Sequence, residues 1–196
     1  MVQPKALDRR EVVRRILAKR RDALVITGLG SSTYDVAATD DQDRNFYLWG
    51  AMGGAATLGL GLALAQPHVP VIVVTGDGEM LMGLGSLATI GWQSPKNLTV
   101  IVLDNARYGE TGGQDSHTAH RTNLVAAARS CGIDDARGIA TTEGVKKLAD
   151  DIQETGSGPR FALIQIDSAE QPRVLPPRDP ILLMARMRRA LGFDSI

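Results

Sequence analysis

At 196 residues the chain fits one domain, large enough to bury a hydrophobic core. Hydrophobic residues make up 43% and charged residues 22%, a globular rather than a disordered composition. Lys plus Arg and Asp plus Glu each total 22, so no basic excess points to nucleic acid or to an anionic membrane surface. The lone cysteine, Cys131, cannot form an internal disulfide and has no metal-ligand spacing around it, so its expected role is packing. With no signal-like amino terminus, the expected compartment is the cytoplasm. Residues 45–67 carry no charge, but they contain five glycines and open like a strand. They read as a strand and a buried helix, not as a membrane span.

In chain order the pattern alternates. A helix is predicted over 8–19, with Val12, Val13, Ile16 and Leu17 on one face and the basic run 9–21 on a solvated face. A short apolar strand over 22–26 runs into Gly28-Leu-Gly-Ser-Ser-Thr33. Residues 46–49 form a strand, 50–65 a small-residue helix, and 69–75 a β-branched strand ending at Gly76-Asp77-Gly78. Helical spacing returns over 80–92, followed by a buried strand over 98–103 and a loop over 104–118. A helix over 122–130, a strand over 134–140, a helix over 142–153 and a last strand over 160–166 complete the alternation. A proline-rich tail and a basic amphipathic helix over 181–191 follow. Strands separated by helices imply an α/β fold: an open parallel sheet with helices on both faces. The expectation is a single domain over 1–196, with its core at about 22–170 and the tail over 171–196. Such sheets bind ligands at the carboxyl ends of their strands, where the glycine-rich turns fall.

In Gly76-Asp77-Gly78-Glu79 two glycines let the backbone approach a ligand and present amide donors at the start of the next helix. The aspartate would repel a diphosphate unless a divalent cation lay between them. By itself this triplet is common in ordinary turns. One helix and one strand later comes Asp104-Asn105-Ala106-Arg107-Tyr108-Gly109, placing Asn105 where its side-chain oxygen can reach the cation held by Asp77. Magnesium takes six oxygens, one or two from protein carboxylates and the rest from phosphates, carbonyls and water. Asp77, Asn105 and a backbone carbonyl at Arg107 supply three. The structural alternative for this pair is a turn and a strand cap.

The two motifs at this separation, with Thr-Gly-Gly-Gln114 just beyond, resemble the diphosphate-binding domain of thiamine-diphosphate enzymes over about residues 23–166. Within that family GDGEMLM, LATIG, LDN and TGGQ are similar to the β subunits of sulfopyruvate decarboxylases and the carboxyl-terminal domain of phosphonopyruvate decarboxylases. The resemblance implies thiamine diphosphate and Mg²⁺ as cofactors and assigns further residues. Gly50-Ala51-Met52-Gly53 would lie under the aminopyrimidine, with the Gly50 carbonyl accepting from its amine and Met52 wedged between the two rings. Gly30, Ser31 and Ser32 match a second turn near the diphosphate, and Gly76, Gly78, Glu79 and Tyr108 complete the cofactor-binding set. Such bending of the cofactor makes its amine an intramolecular base, a proximity effect.

The family's activating glutamate comes from a different domain, and Glu79, Glu110 and Glu143 lie in the wrong motifs. The expected partner is therefore a pyrimidine-binding subunit in a hetero-oligomer, the substrate a small 2-oxo acid and the reaction a decarboxylation. A carboligase or 2-oxo acid oxidoreductase subunit shares the same motif. A non-catalytic thiamine-diphosphate-binding module is a further reading, and a dinucleotide-binding domain fails because Gly28-Leu-Gly30-Ser-Ser-Thr33 lacks the third glycine. Simpler roles stand beside several assignments: Met52 as core, Ser31 and Ser32 as caps for a helix from Tyr34, and His68 as surface. His117 is the candidate catalytic residue, a proton shuttle or substrate contact, with His120, Arg107 and Gln114 as similar candidates or loop residues. Asp40, Asp41 and Asp43 read as a solvated acidic loop rather than a metal site.

Overall fold

A computed structural model describes residues 6–193; the outermost ends of the expected domain, 1–5 and 194–196, lie outside them. The strands in chain order are β1 (Leu24–Thr27), β2 (Asn45–Tyr47), β3 (Val71–Gly76), β4 (Leu98–Asp104), β5 (Arg107–Tyr108), β6 (Gln114–Asp115), β7 (Asp135–Ile139) and β8 (Arg160–Gln165). The helices are α1 (Arg9–Leu17), α2 (Ser31–Asp40), α3 (Ala55–Ala65), α4 (Asp77–Met82), α5 (Ser86–Gln93), α6 (Leu124–Ser130), α7 (Thr142–Asp151) and α8 (Pro180–Ala190). Six strands form one parallel sheet in the order β2-β1-β3-β4-β8-β7, while β5 and β6 make a separate antiparallel hairpin. The sheet matches the predicted α/β class.

The near-continuous apolar runs of β1, β3 and β4 follow from burial on both faces. Successive side chains on a strand point to opposite faces, so Val71 and Val73 join Leu60, Leu87, Ile90 and Leu124 on one side. Ile72 and Val74 join Val12, Ile16, Val145 and Leu148 on the other. Each such side chain contributes about 1.5–3 kcal/mol when fully buried. From β1 the chain turns one way to β2 and the other way to β3. The crevice for a ligand therefore opens at the carboxyl ends of β1 and β3.

Several local expectations are corrected. The predicted helix over 50–65 begins only at Ala55, because Gly50 and Gly53 hold positive φ angles of 74° and 86°. The helix predicted over 80–92 is two helices, α4 and α5, broken around Gly83. A Cβ on Gly83 would lie 2.2 Å from the Gly53 carbonyl oxygen, so the break lets α4 pack its end against the 50–54 loop. The loop over 104–118 contains the β5–β6 hairpin. Ser31 and Ser32 do not cap a helix from Tyr34: α2 already starts at Ser31, with Gly30 as its N-cap.

The basic run is not simply a solvated face. Arg9 is buried and its Nε donates to Asp35 at 2.6 Å, while Arg10 reaches the other oxygen of the same carboxylate at 3.0 Å. Buried Arg20 donates to Asn45 Oδ1 and to the Ala23 carbonyl. The acidic loop is likewise structural. Asp41 and Asp43 pair with Arg186 at 2.9 and 3.1 Å and so dock α8 beside β2. Asp179 caps α8, with Pro180 in its first turn. His68 is exposed, and Cys131 is a free, half-buried thiol packed on the core. Among the described residues no helix is long and apolar enough to cross a membrane.

Candidate functional site

Three turns meet at the crevice. The first, Gly28-Leu29-Gly30 after β1, delivers the chain into α2 with Gly30 at φ 79°. The α2 N-terminus thus has no side-chain cap, and Ser31 and Ser32 sit in its first turn on the cleft wall. The second is the 50–54 loop, from which Met52 lines the same cleft. The third is Gly76-Asp77-Gly78, where β3 passes directly into α4.

Glu79 ties these turns together from beneath. It is buried; Oε2 accepts from Thr75 Oγ1 at 2.7 Å, Oε1 has no hydrogen-bond partner among the described residues, and the backbone N–H groups of Leu29, Gly53 and Ala55 lie near enough to favour the charged carboxylate. Burial pushes its carboxyl above the usual range, against the pull of those donors. The side chain also borders the cleft.

Asp77 is the first residue of α4 and is 2% exposed. Its Oδ2 accepts from Ser116 Oγ and lies 3.2 Å from Thr118 Oγ1, which is 2.7 Å from Asp104 Oδ1. A threonine hydroxyl has one proton, so it cannot fully satisfy both carboxylates. Burial raises the Asp77 carboxyl and the nearby Asp104 charge adds to the rise, while Ser116 and Thr118 oppose it. Two close carboxylates with few donors form an environment that a cation relieves. Ser116, Thr118 and Asp104 were not among the predicted site residues. A hydroxyl pair two apart, Ser116-His117-Thr118, was their only local signal.

Asn105 lines the cleft at the end of β4. Its Oδ1 accepts from Arg107 N at 3.0 Å, and Asp104 Oδ1 accepts from Ala106 N at 3.0 Å. These two Asx-type bonds hold Ala106 at φ 58° and turn the chain sharply into the β5–β6 hairpin. A carbonyl oxygen has a second lone pair, so the Asn105 side chain retains an acceptor. Arg107 lines the cleft and pairs with Asp115 at 2.8 Å.

The cleft brings together Ser31, Ser32, Met52, Gly76, Asp77, Gly78, Glu79, Asn105, Arg107 and Tyr108. Tyr108 lies flush on Gly78, where an added Cβ would sit 2.7 Å from its Cδ1. Gly30 forms the turn behind the cleft wall, and Gly50 is not among the lining residues. Neither is His117, which is exposed and bonded through Nδ1 to the Tyr108 hydroxyl at 2.6 Å. His120 stands 3.8 Å from Asp115. Gln114 belongs to β6 and is exposed.

Among the described residues no cluster of three or more His, Cys, Asp or Glu could cage a metal. The donor set nevertheless fits a diphosphate-bound magnesium ion, which needs few protein carboxylates and takes the remaining oxygens from phosphate, carbonyl and water. One buried carboxylate, one side-chain amide oxygen and glycine-flanked amides at a helix start are of that kind.

Residues 28–166 match the family described as thiamine pyrophosphate enzyme, C-terminal TPP binding domain. The chain is 42% identical to the sulfopyruvate decarboxylase subunit beta of Methanocaldococcus jannaschii over 125 residues, covering 64% of each chain. It is 41% identical to the phosphonopyruvate decarboxylase of Streptomyces viridochromogenes over 170 residues, 83% of this chain and 42% of that one. With the sulfopyruvate decarboxylase subunit beta of Methanothermobacter thermautotrophicus it shares 39% identity over 160 residues, 82% of each. The chain thus spans under two thirds of the length of the first two of these relatives. The benzoylformate decarboxylase of Polynucleobacter necessarius superposes with a TM-score of 0.69 at 19% identity, covering 85% of this chain and 34% of that one. That likeness bears on the fold alone.

Proposed function

Because the chain belongs to the family of C-terminal TPP-binding domains of thiamine pyrophosphate enzymes, we propose that it is the diphosphate-binding subunit of a two-subunit, thiamine-diphosphate-dependent 2-oxo acid decarboxylase. The substrate is a small 2-oxo acid of the sulfopyruvate or phosphonopyruvate type. The observation that carries this reading is the buried Asp77 carboxylate at the sheet's reversal point, in one cleft with Asn105 and Met52. Carboligase and oxidoreductase subunits share such a cleft; the identity to two β subunits of sulfopyruvate decarboxylases favours decarboxylation.

When bound, thiamine diphosphate supplies a nucleophilic carbon that adds to the 2-oxo acid carbonyl and accepts the electrons released as carbon dioxide leaves. The residues of this chain hold and orient it. Asp77, Asn105 and the Arg107 carbonyl would hold Mg²⁺, and the backbone around Gly30, Gly76 and Gly78 with Ser31 and Ser32 would receive the diphosphate. Met52 and the Gly50 carbonyl would hold the ring portion of the cofactor, and Tyr108 closes the wall over Gly78. Glu79, buried beneath the turns and bonded to Thr75, would leave the activating carboxylate to a pyrimidine-binding partner subunit. His117, bonded to the Tyr108 hydroxyl, would be the candidate of this chain for proton exchange at the cleft margin.

Co-expression with a pyrimidine-fold chain encoded beside it, followed by assay of carbon dioxide release from 3-sulfopyruvate, 3-phosphonopyruvate and pyruvate with Mg²⁺ and cofactor, tests the reading. Turnover that needs both chains and is lost in Asp77→Ala is expected. Turnover by this chain alone, or an Asp77→Ala complex with full activity, would refute it.

A further inference from the structure

The amino-terminal helix lies outside the matched segment 28–166, yet it delivers a charged group to the cleft. Leu7 forms a parallel bridge to Ile166 at the end of β8, and Asp167 N donates to the Leu7 carbonyl at 2.9 Å. Asp8 caps α1 and also accepts from the Gln171 side chain at 2.6 Å. These bonds fix the start of α1 at the carboxyl edge of the sheet, so Arg9 lines the cleft with Ser31 and Asn105.

Arg9 is 7% exposed. Among the described residues its only hydrogen bond runs from Nε to Asp35, which itself is fully buried. Asp35 also holds Arg10, so two arginines share one carboxylate and one positive charge is left over. Arg10 spends part of its guanidinium on the Pro172 carbonyl and does not line the cleft. Glu110 and Glu170 border the cleft extension next to Arg9, and neither pairs with it. Among the described residues this nearly buried guanidinium has free terminal nitrogens and surplus charge, which favours an oxyanion met by two parallel N–H donors.

The position says which oxyanion. The extension shares Arg9, Ser31, Asn105, Arg107, Gly109 and Glu110 with the main cleft but not Met52 or Asp77. It therefore continues past the diphosphate end, away from Met52 and the reacting carbon where a substrate acid group would lie. On the reading of the cleft as a thiamine diphosphate site, we propose that Arg9, oriented by Asp35, binds the terminal phosphate of the cofactor. Asp35 acts through Arg9 and is a positioning residue.

The test compares thiamine diphosphate with thiamine monophosphate, which lacks the terminal phosphate, by titration calorimetry in Mg²⁺ on this chain co-purified with its pyrimidine-binding partner. Arg9→Gln should weaken the diphosphate about tenfold or more and leave the monophosphate within about twofold. Arg10→Gln, which loosens the same Asp35 cluster without touching the cleft, should leave both affinities unchanged. Equal losses for the two ligands, the same pattern in Arg10→Gln, or no loss in Arg9→Gln would overturn the proposal and reduce Arg9 to a support for α1. Should Arg9→Gln fail to fold, Arg9→Lys is read with the same ligands, because it keeps the ion pair but loses the guanidinium fork. Failure of the wild-type complex to bind thiamine diphosphate would instead overturn the proposed function, and this assignment with it.

Discussion

The Glu79 carboxylate fills the space that a side chain at Gly28 would need: an added Cβ there would lie 1.8 Å from Glu79 Oε1. The turn after β1 and the helix after β3 are thereby locked together at the reversal point of the sheet. Gly28→Ala should cost about 1–3 kcal/mol, since the Glu79 carboxylate can move aside only by giving up its bond to Thr75. Glu79→Ala should also destabilise, through the lost bond to Thr75 and the space it leaves beneath the turns. In the double variant the clash disappears, so urea denaturation should show a loss well below the sum of the two single losses. Simple additivity would mean that the two residues do not compete for that space.

Asp77 stabilises the bound state at the expense of the free one. Without a cation it is a buried carboxylate near Asp104 with too few donors. Asp77→Asn should therefore raise the melting temperature of the chain in EDTA and, in the complex with the partner subunit, abolish the further rise that Mg²⁺ with thiamine diphosphate gives the wild type. Thermal melts in the two conditions measure both effects. A variant still stabilised by the cofactor would show that Asp77 is not the ligand.

Arg186 holds the carboxyl-terminal helix to the body of the protein. It is largely buried against Asp41 and Asp43, and Asp41 also accepts from the Tyr47 hydroxyl. Arg186→Met should cost about 1 kcal/mol, because Asp41 and Asp43 are exposed to solvent and keep Tyr47 and Arg189 as partners. Hydrogen exchange should speed up across Pro180–Ala190 while β3 and β4 stay protected. Unchanged protection of that helix would show that apolar contacts alone hold it.

Two helical glycines should respond in opposite directions. A Cβ on Gly91 in α5 would lie 1.7 Å from the Cys131 carbonyl oxygen, a backbone atom after α6, so Gly91→Ala should cost about 3 kcal/mol. Gly61 in α3 has open space around its Cβ position. Gly61→Ala should add about 0.5–1 kcal/mol by lowering the entropy of the unfolded chain. Chemical denaturation of both variants gives the sign directly.

Short-range pattern was enough to determine much of this protein. The apolar runs of β3 and β4, the 28-residue step from Asp77 to Asn105 and the glycine turns at strand ends fix an open parallel sheet. They also place the cleft at its carboxyl edge. Period, turn chemistry and strand order are local properties, so they survive without coordinates. What only the tertiary structure decided are pairings between residues far apart in the chain. Arg9 finds Asp35, Arg186 finds Asp41, Ser116 finds Asp77, and Gly83 meets Gly53. A basic run looks solvated, an acidic loop looks free and a helix looks unbroken until the partner is in view. Whether a charge lies in water or in the interior depends on what packs over it, and spacing along the chain does not carry that information. The cleft was visible as two motifs; the arginine that reaches it from α1, and the hydroxyls that hold its aspartate, became visible only once the sheet had brought them together.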